Sequence, residues 1–151
     1  MALVLQPANA VKQRCYADTR RPKIQAVLKA FFMYHAQHKG NPDLAFIAFA
    51  DLAASVVLAD APCRMFGVYL LKPPTSTIAA YVKGSDSATA ASATAPELSI
   101  RLPGNVEELI VAFDGLPMTA GFAVRSDTTA AGTTGSAAAD QPDGFVLLGA
   151  P

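Results

Sequence analysis

From Ser55 onward the apolar residues recur with a period of two, in short runs closed by turns rich in Pro, Gly and Asp. "SVVLA" is closed by "DAP", "RMFGVYLLK" by "PPTS", and "TIAAYVK" runs into "GSDSATAASATAP". "ELSIRLP" alternates cleanly: Leu98, Ile100 and Leu102 share one face, while Glu97, Ser99 and Arg101 share the other. "PGN" then turns the chain, and "VEELIVAFD" sets Leu109, Val111 and Phe113 on one face. "DGLP" reads as another turn, "TAGFAVR" offers Ala120, Phe122 and Val124, and "GFVLLG" is the last run. This pattern, with no helical period between the runs, predicts a mostly-β fold: an antiparallel, jelly-roll-like β-sandwich of about seven strands over residues 54–151.

One run differs from the rest. In "RMFGVYLLK", Phe66, Val68 and Leu70 point one way, Met65, Tyr69 and Leu71 the other, and both sets are apolar. A strand of this kind is covered on both sides, by a helix or by another subunit. The helix is at hand in "PKIQAVLKAFFMYHAQHK", residues 22–39. Pro22 suits a first helical turn, and Ile24, Val27, Leu28, Phe31 and His35 recur along one face. Gly40 follows as the stop. Asn41, Pro42 and Asp43 read as a second helix start, yet Phe46 and Phe49 share a helical face poorly, so 42–53 is open between helix and strand, with helix favoured. Residues 22–53 are thus expected as a helical segment packed on the sandwich. Residues 1–21 show no clean period and read as an extended arm that orders on a partner, or as an edge strand.

Charge is segregated along the chain. Residues 1–39 carry seven basic residues against Asp18 alone, a surplus of +6, and residues 40–151 carry the compensating −6. The two parts are built to meet different surroundings. Only 16% of residues are charged while 52% are hydrophobic, so apolar surface is left over for a partner. No apolar run is long enough to cross a bilayer, since "LAFIAFADLAASVVLADA" is broken by Asp51 and Ser55, and the N-terminus lacks a secretory pattern. No membrane role is expected. Cys15 and Cys63 read as two free thiols of a reducing compartment, with a disulfide between them left open.

No arrangement for chemistry stands out. His35 and His38 are spaced for a metal but lack a third ligand, and read as one packed and one surface histidine. Glu107 and Glu108, adjacent on a strand, face opposite ways and cannot act as a pair. The "SDS" and "SDT" stretches lack the ligand series of a calcium loop. We therefore expect no catalytic residues, no cofactor and no metal. Two loops stand out for another reason: 84–96 and 126–142 consist almost wholly of Ser, Thr, Ala, Gly and Asp. They are flat and nearly uncharged, which suits close packing against a symmetric neighbour.

"APCRMFGVYLLKPPTSTIAAYVKGSDSATAASATAPELSIRLPGN" and "FDGLPMTAGFAVRSDTTAAG" resemble a strand-and-turn pattern of small virion proteins of tailed bacteriophages. The resemblance spans residues 54–150 and leaves out the basic N-terminal third. It implies a β-sandwich building block located in the virion, such as a head decoration or cement protein, assembled in the host cytoplasm. Its partners would be the major capsid protein or other virion proteins and further copies of itself, and nucleic acid is not expected. A tail or neck component, or a cellular glycan- or protein-binding module, are the alternatives. The expected interface comprises Arg14, Tyr16, Arg20 and Arg21 in the arm, with Asp127, Thr128 and Thr129 in the second loop.

Overall fold

Two helices and eight strands succeed one another in the computed structural model, which describes residues 2–151. Helices α1 (Ala8–Asp18) and α2 (Pro22–Tyr34) come first. They are followed by β1 (Leu44–Phe49), β2 (Val56–Ala59), β3 (Cys63–Leu71) and β4 (Ala80–Asp86). The chain ends with β5 (Leu98–Leu102), β6 (Glu107–Met118), β7 (Phe122–Asp127) and β8 (Asp143–Gly149). Sheet A has the order β1-β8-β3-β6 and sheet B the order β2-β7-β4-β5. Every pairing is antiparallel. The pairs β1·β8, β2·β7, β3·β6 and β4·β5 are those of one long hairpin, rolled so that β8 meets β3 and β7 meets β4. This is the jelly-roll connectivity.

Two apolar layers hold the fold. Between the sheets lie Met65, Val68 and Leu70 of β3, Val82 of β4, Ile100 and Leu102 of β5, Phe122 and Val124 of β7, and Val146 and Leu148 of β8. On the outer face of sheet A, Ile24, Leu28, Phe31 and Phe32 of α2, with Val11 and Cys15 of α1, pack on Leu44, Phe66, Tyr69, Phe145 and Leu147. The inner strands β3 and β8 are therefore covered on both faces, and the helical layer is the cover that β3 required.

Three expectations are corrected. The N-terminal segment is not an extended arm: residues 8–18 are helical and buried through Ala8, Val11 and Cys15. These small residues at i, i+3 and i+7 make a stripe too thin to register as a period. Removing residues 1–21 would uncover part of sheet A rather than trim an appendage. Residues 44–49 form a strand and not a helix, because β1 completes sheet A against β8 along the whole of its length. "DGLP" is not a turn. It lies inside β6, where Ala112 to Gly115 stand opposite Phe66 alone.

That irregularity also resets the faces of β3. Met65 pairs with Leu148 and Gly67 with Leu147, so Phe66 is an extra residue relative to β8 as well. The bulge turns Phe66 to the helical side with Tyr69 and Leu71, and leaves Met65 inside with Val68 and Leu70. Simple alternation had assigned these two residues the other way. Gly115 adopts φ 74°, and a Cβ there would sit 2.9 Å from the Phe66 ring. The end of α2 grips the same place. It widens into a single π turn at His35–Lys39, ended by Gly40 at φ 76°. His35, buried, donates from Nε2 to the Phe113 carbonyl at 2.6 Å, and Tyr34 donates to the Asp114 carboxylate at 3.1 Å. Phe66→Ala should remove the contact between bulge and helix and cost about 3–5 kcal/mol. Denaturant unfolding measures this; a loss below about 1 kcal/mol would show that α2 is held elsewhere.

Candidate functional site

A cluster of three charged residues, Lys83, Arg125 and Asp127, lies on the outer face of sheet B, beneath the two small-residue loops. Lys83 of β4 and Arg125 of β7 stand directly opposite each other. Like charges in that register repel. Asp127, two residues further along β7 and so on the same face, bridges them. Its carboxylate lies 2.9 Å from Lys83 Nζ and 2.7 Å from an Arg125 terminal nitrogen, and Arg125 Nε also donates to both its oxygens. The Lys83 and Asp127 side chains are fully buried. The ammonium has three protons to place. One goes to Asp127, one to the Ala93 carbonyl at 2.6 Å and one to the Gly132 carbonyl at 2.8 Å.

Ala93 belongs to the first small-residue loop and Gly132 to the second, so a single lysine fastens both. Arg125 adds a bond to the Thr133 carbonyl at 2.9 Å. The first loop is further held by side-chain hydroxyls: Ser55 accepts the Ala91 N–H and Ser85 accepts the Ser92 N–H. Ser126 and Ser136 exchange a hydroxyl bond of 2.7 Å beneath the second loop. A second buried lysine, Lys72, anchors the far end of that loop by donating to the Asp140 carbonyl at 2.6 Å. Ser76 donates to the Asp140 carboxylate at 2.6 Å. Burial pushes the Lys72 ammonium down from its ordinary value, and Asp140 opposes the shift. The loops thus form a fourth layer, laid over sheet B as the helices are laid over sheet A.

A third fastening lies at the β6–β7 connection. The Asp86 carboxylate accepts the N–H groups of Thr119, Ala120 and Gly121 and the Thr119 hydroxyl. These bonds, those from Ala120 and Thr119 foremost, lower its pKa from 3.8 to about 2.

The expected interface residues separate into two groups on opposite sides of the sandwich. Arg14, Arg20 and Arg21 are exposed on the helical layer, with Arg21 Nε 3.6 Å from the Glu107 carboxylate. Tyr16 lies partly buried between the helices with the Lys12 ammonium 5.8 Å from its ring centroid, and its hydroxyl is enclosed without a hydrogen-bond partner. Thr128 and Thr129 are exposed at the crown of the second loop. Asp127 is not a surface residue: its side chain is wholly buried and committed to two cations. The clamp itself was missed because Lys83, Arg125 and Asp127 sit on strand positions that face outward by period, where a charge ordinarily meets water. The signal present was the concentration of small residues in the loops that cover them.

The remaining reactive groups are placed as follows. Cys15 and Cys63 are both free and buried, and burial drives the Cys15 thiol up to about 12 and raises Cys63. His38 is exposed beside the Tyr34 ring. Among the described residues, no three His, Cys, Asp or Glu side chains gather as a metal site, and no helix is long and apolar enough to cross a membrane. Comparison of the chain with protein-family models, curated proteins and solved structures found no match.

Lys83→Met deprives Asp127 of one cation and the Ala93 and Gly132 carbonyls of their donor. It should cost about 3–5 kcal/mol and open both loops to limited proteolysis. Native stability with both loops still protected would show that the lysine is not the fastener. For Asp86 the folded pKa lies below the unfolded one, so its contribution is present above about pH 4 and disappears as the pH falls through about 2. Asp86→Asn should therefore be less stable than the native chain near neutral pH and converge with it near pH 2. Denaturant melts at the two pH values check this, and a gap that is the same at both would contradict the assignment.

Proposed function

We propose that this chain is a structural protein of a bacteriophage virion, a decoration or cement protein seated on the major capsid protein. The observation that carries this reading is the two-sheet 1-8-3-6/2-7-4-5 jelly roll, an architecture that recurs in capsid proteins as well as in lectins and cupins. Fold alone does not assign function, so the choice among these rests on what occupies the fold. The space between the sheets is filled by large apolar side chains, Phe122, Met65, Leu70 and Leu102 among them. The helices cover most of the outer face of sheet A and the small-residue loops part of that of sheet B, and the buried charges fasten those loops. Such a module offers stiffness and surface. The pattern of strands and small-residue loops over residues 54–150, which resembles small phage virion proteins, agrees with that use.

Particles released from cells that carry the gene provide the test. They are banded on a density gradient, washed in high salt and analysed by quantitative mass spectrometry. The reading expects the chain in the particle band at a fixed copy number relative to the major capsid protein. Recovery only in the soluble fraction would refute it.

A further inference from the structure

We propose that the uncovered end of sheet A is a docking site for the basic helical layer of a second copy of this chain. The two helices leave part of that face open where β1 ends and β8 begins. There a groove of about 260 Å³ lies between Asp18 and Asp143, with Phe49, Tyr69, Leu71 and Phe145 among the residues that line it. The Tyr69 and Phe145 rings are stacked, 4.8 Å between centroids and 22° apart in plane. The Asp51 N–H donates to the Asp143 carboxylate at 2.8 Å, which brings a third aspartate to the same rim. Among the described residues, Asp18, Asp51 and Asp143 take part in none of the ion pairs.

The complementary surface is on the same molecule. Arg14, Arg20, Lys23 and Lys29 are exposed on the helical layer, and none of them is ion-paired among the described residues. Val27 and Met33 of the same layer are exposed at 39% and 47%, so apolar surface accompanies the charge. The surplus of +6 in residues 1–39 matches the −6 of the remainder. A polyanion would satisfy the helical layer alone, leave the aspartate-rimmed groove empty and be repelled by it. A second copy satisfies both. An arginine entering the groove meets the Asp18 and Asp143 carboxylates at its rim while its aliphatic stem lies against the apolar lining. Rim charges of this kind set orientation and encounter rate, and the exposed Val27 and Met33 add apolar contact area.

The contact does not rest on the virion reading, and its test uses the isolated full chain without particles. Sedimentation velocity is run at low and high salt on the native chain and on two charge-reversed variants. One carries Arg14→Glu, Arg20→Glu and Lys23→Glu, the other Asp51→Lys and Asp143→Lys, with Asp51→Asn and Asp143→Asn as a milder form. Circular dichroism confirms that each is folded. The native chain should self-associate, with an affinity that falls about tenfold or more at high salt. Each reversed variant alone should lose at least about tenfold, and an equimolar mixture of the two should recover association. A native chain that stays monomeric at low salt, or a mixture that stays unassociated, would overturn the proposal. So would association indifferent to salt and to both reversals. A monomeric chain that binds a single-stranded oligonucleotide would overturn it in favour of a polyanion partner.

Discussion

The inner strands of sheet A are apolar on both faces, and most of the architecture follows from that. β3 sends Met65, Val68 and Leu70 inward and Phe66, Tyr69 and Leu71 outward; β8 divides Val146 and Leu148 from Phe145 and Leu147 in the same way. Neither face tolerates water. Sheet B covers the first, and the second is covered by α2 with the aid of α1. A two-layer sandwich becomes a structure with a helical layer because two strands have no solvent side. The π turn at the end of α2, the His35 bond to Phe113 and the bulge that presents Phe66 all serve this one junction.

The sandwich and most of its strands were legible because period-two alternation is a local signal. "ELSIRLP" reads the same in isolation as it does in β5, with Leu98, Ile100 and Leu102 inward. The cover over β3 was legible for the same reason, since one strand with two apolar faces states its own need. Other features depend on distant residues. "LAFIAF" is a strand because β8 lies beside it, whereas "NPD" before it imitates a helix start. The face of Phe66 depends on four residues of β6, about fifty positions away in sequence. α1 was missed because its buried stripe is Ala8, Val11 and Cys15, small residues that carry little hydrophobic contrast.

The candidate site was the least legible part, and the reason is electrostatic. Lys83 and Asp127 occupy outward-facing strand positions, and a charge at such a position is ordinarily solvated. Burying an ammonium is tolerable only if every proton finds a strong acceptor. Here one acceptor is a carboxylate and two are backbone carbonyls of loops at distances of 2.6 and 2.8 Å. That requirement explains the composition of the loops. Small residues around Ala93 and Gly132 let the main chain lie close over the buried ammonium. Where the backbone needs further partners, the short hydroxyls of Ser55 and Ser85 accept the Ala91 and Ser92 N–H groups, and those of Ser126 and Ser136 bond each other, without holding the layers apart. A loop of Ser, Thr, Ala and Gly looks in sequence like a chain left to move in water. Against a buried cation the same composition is what lets a loop lie flat and stay there, so the long small-residue stretches of this chain are the outer wall of the fold.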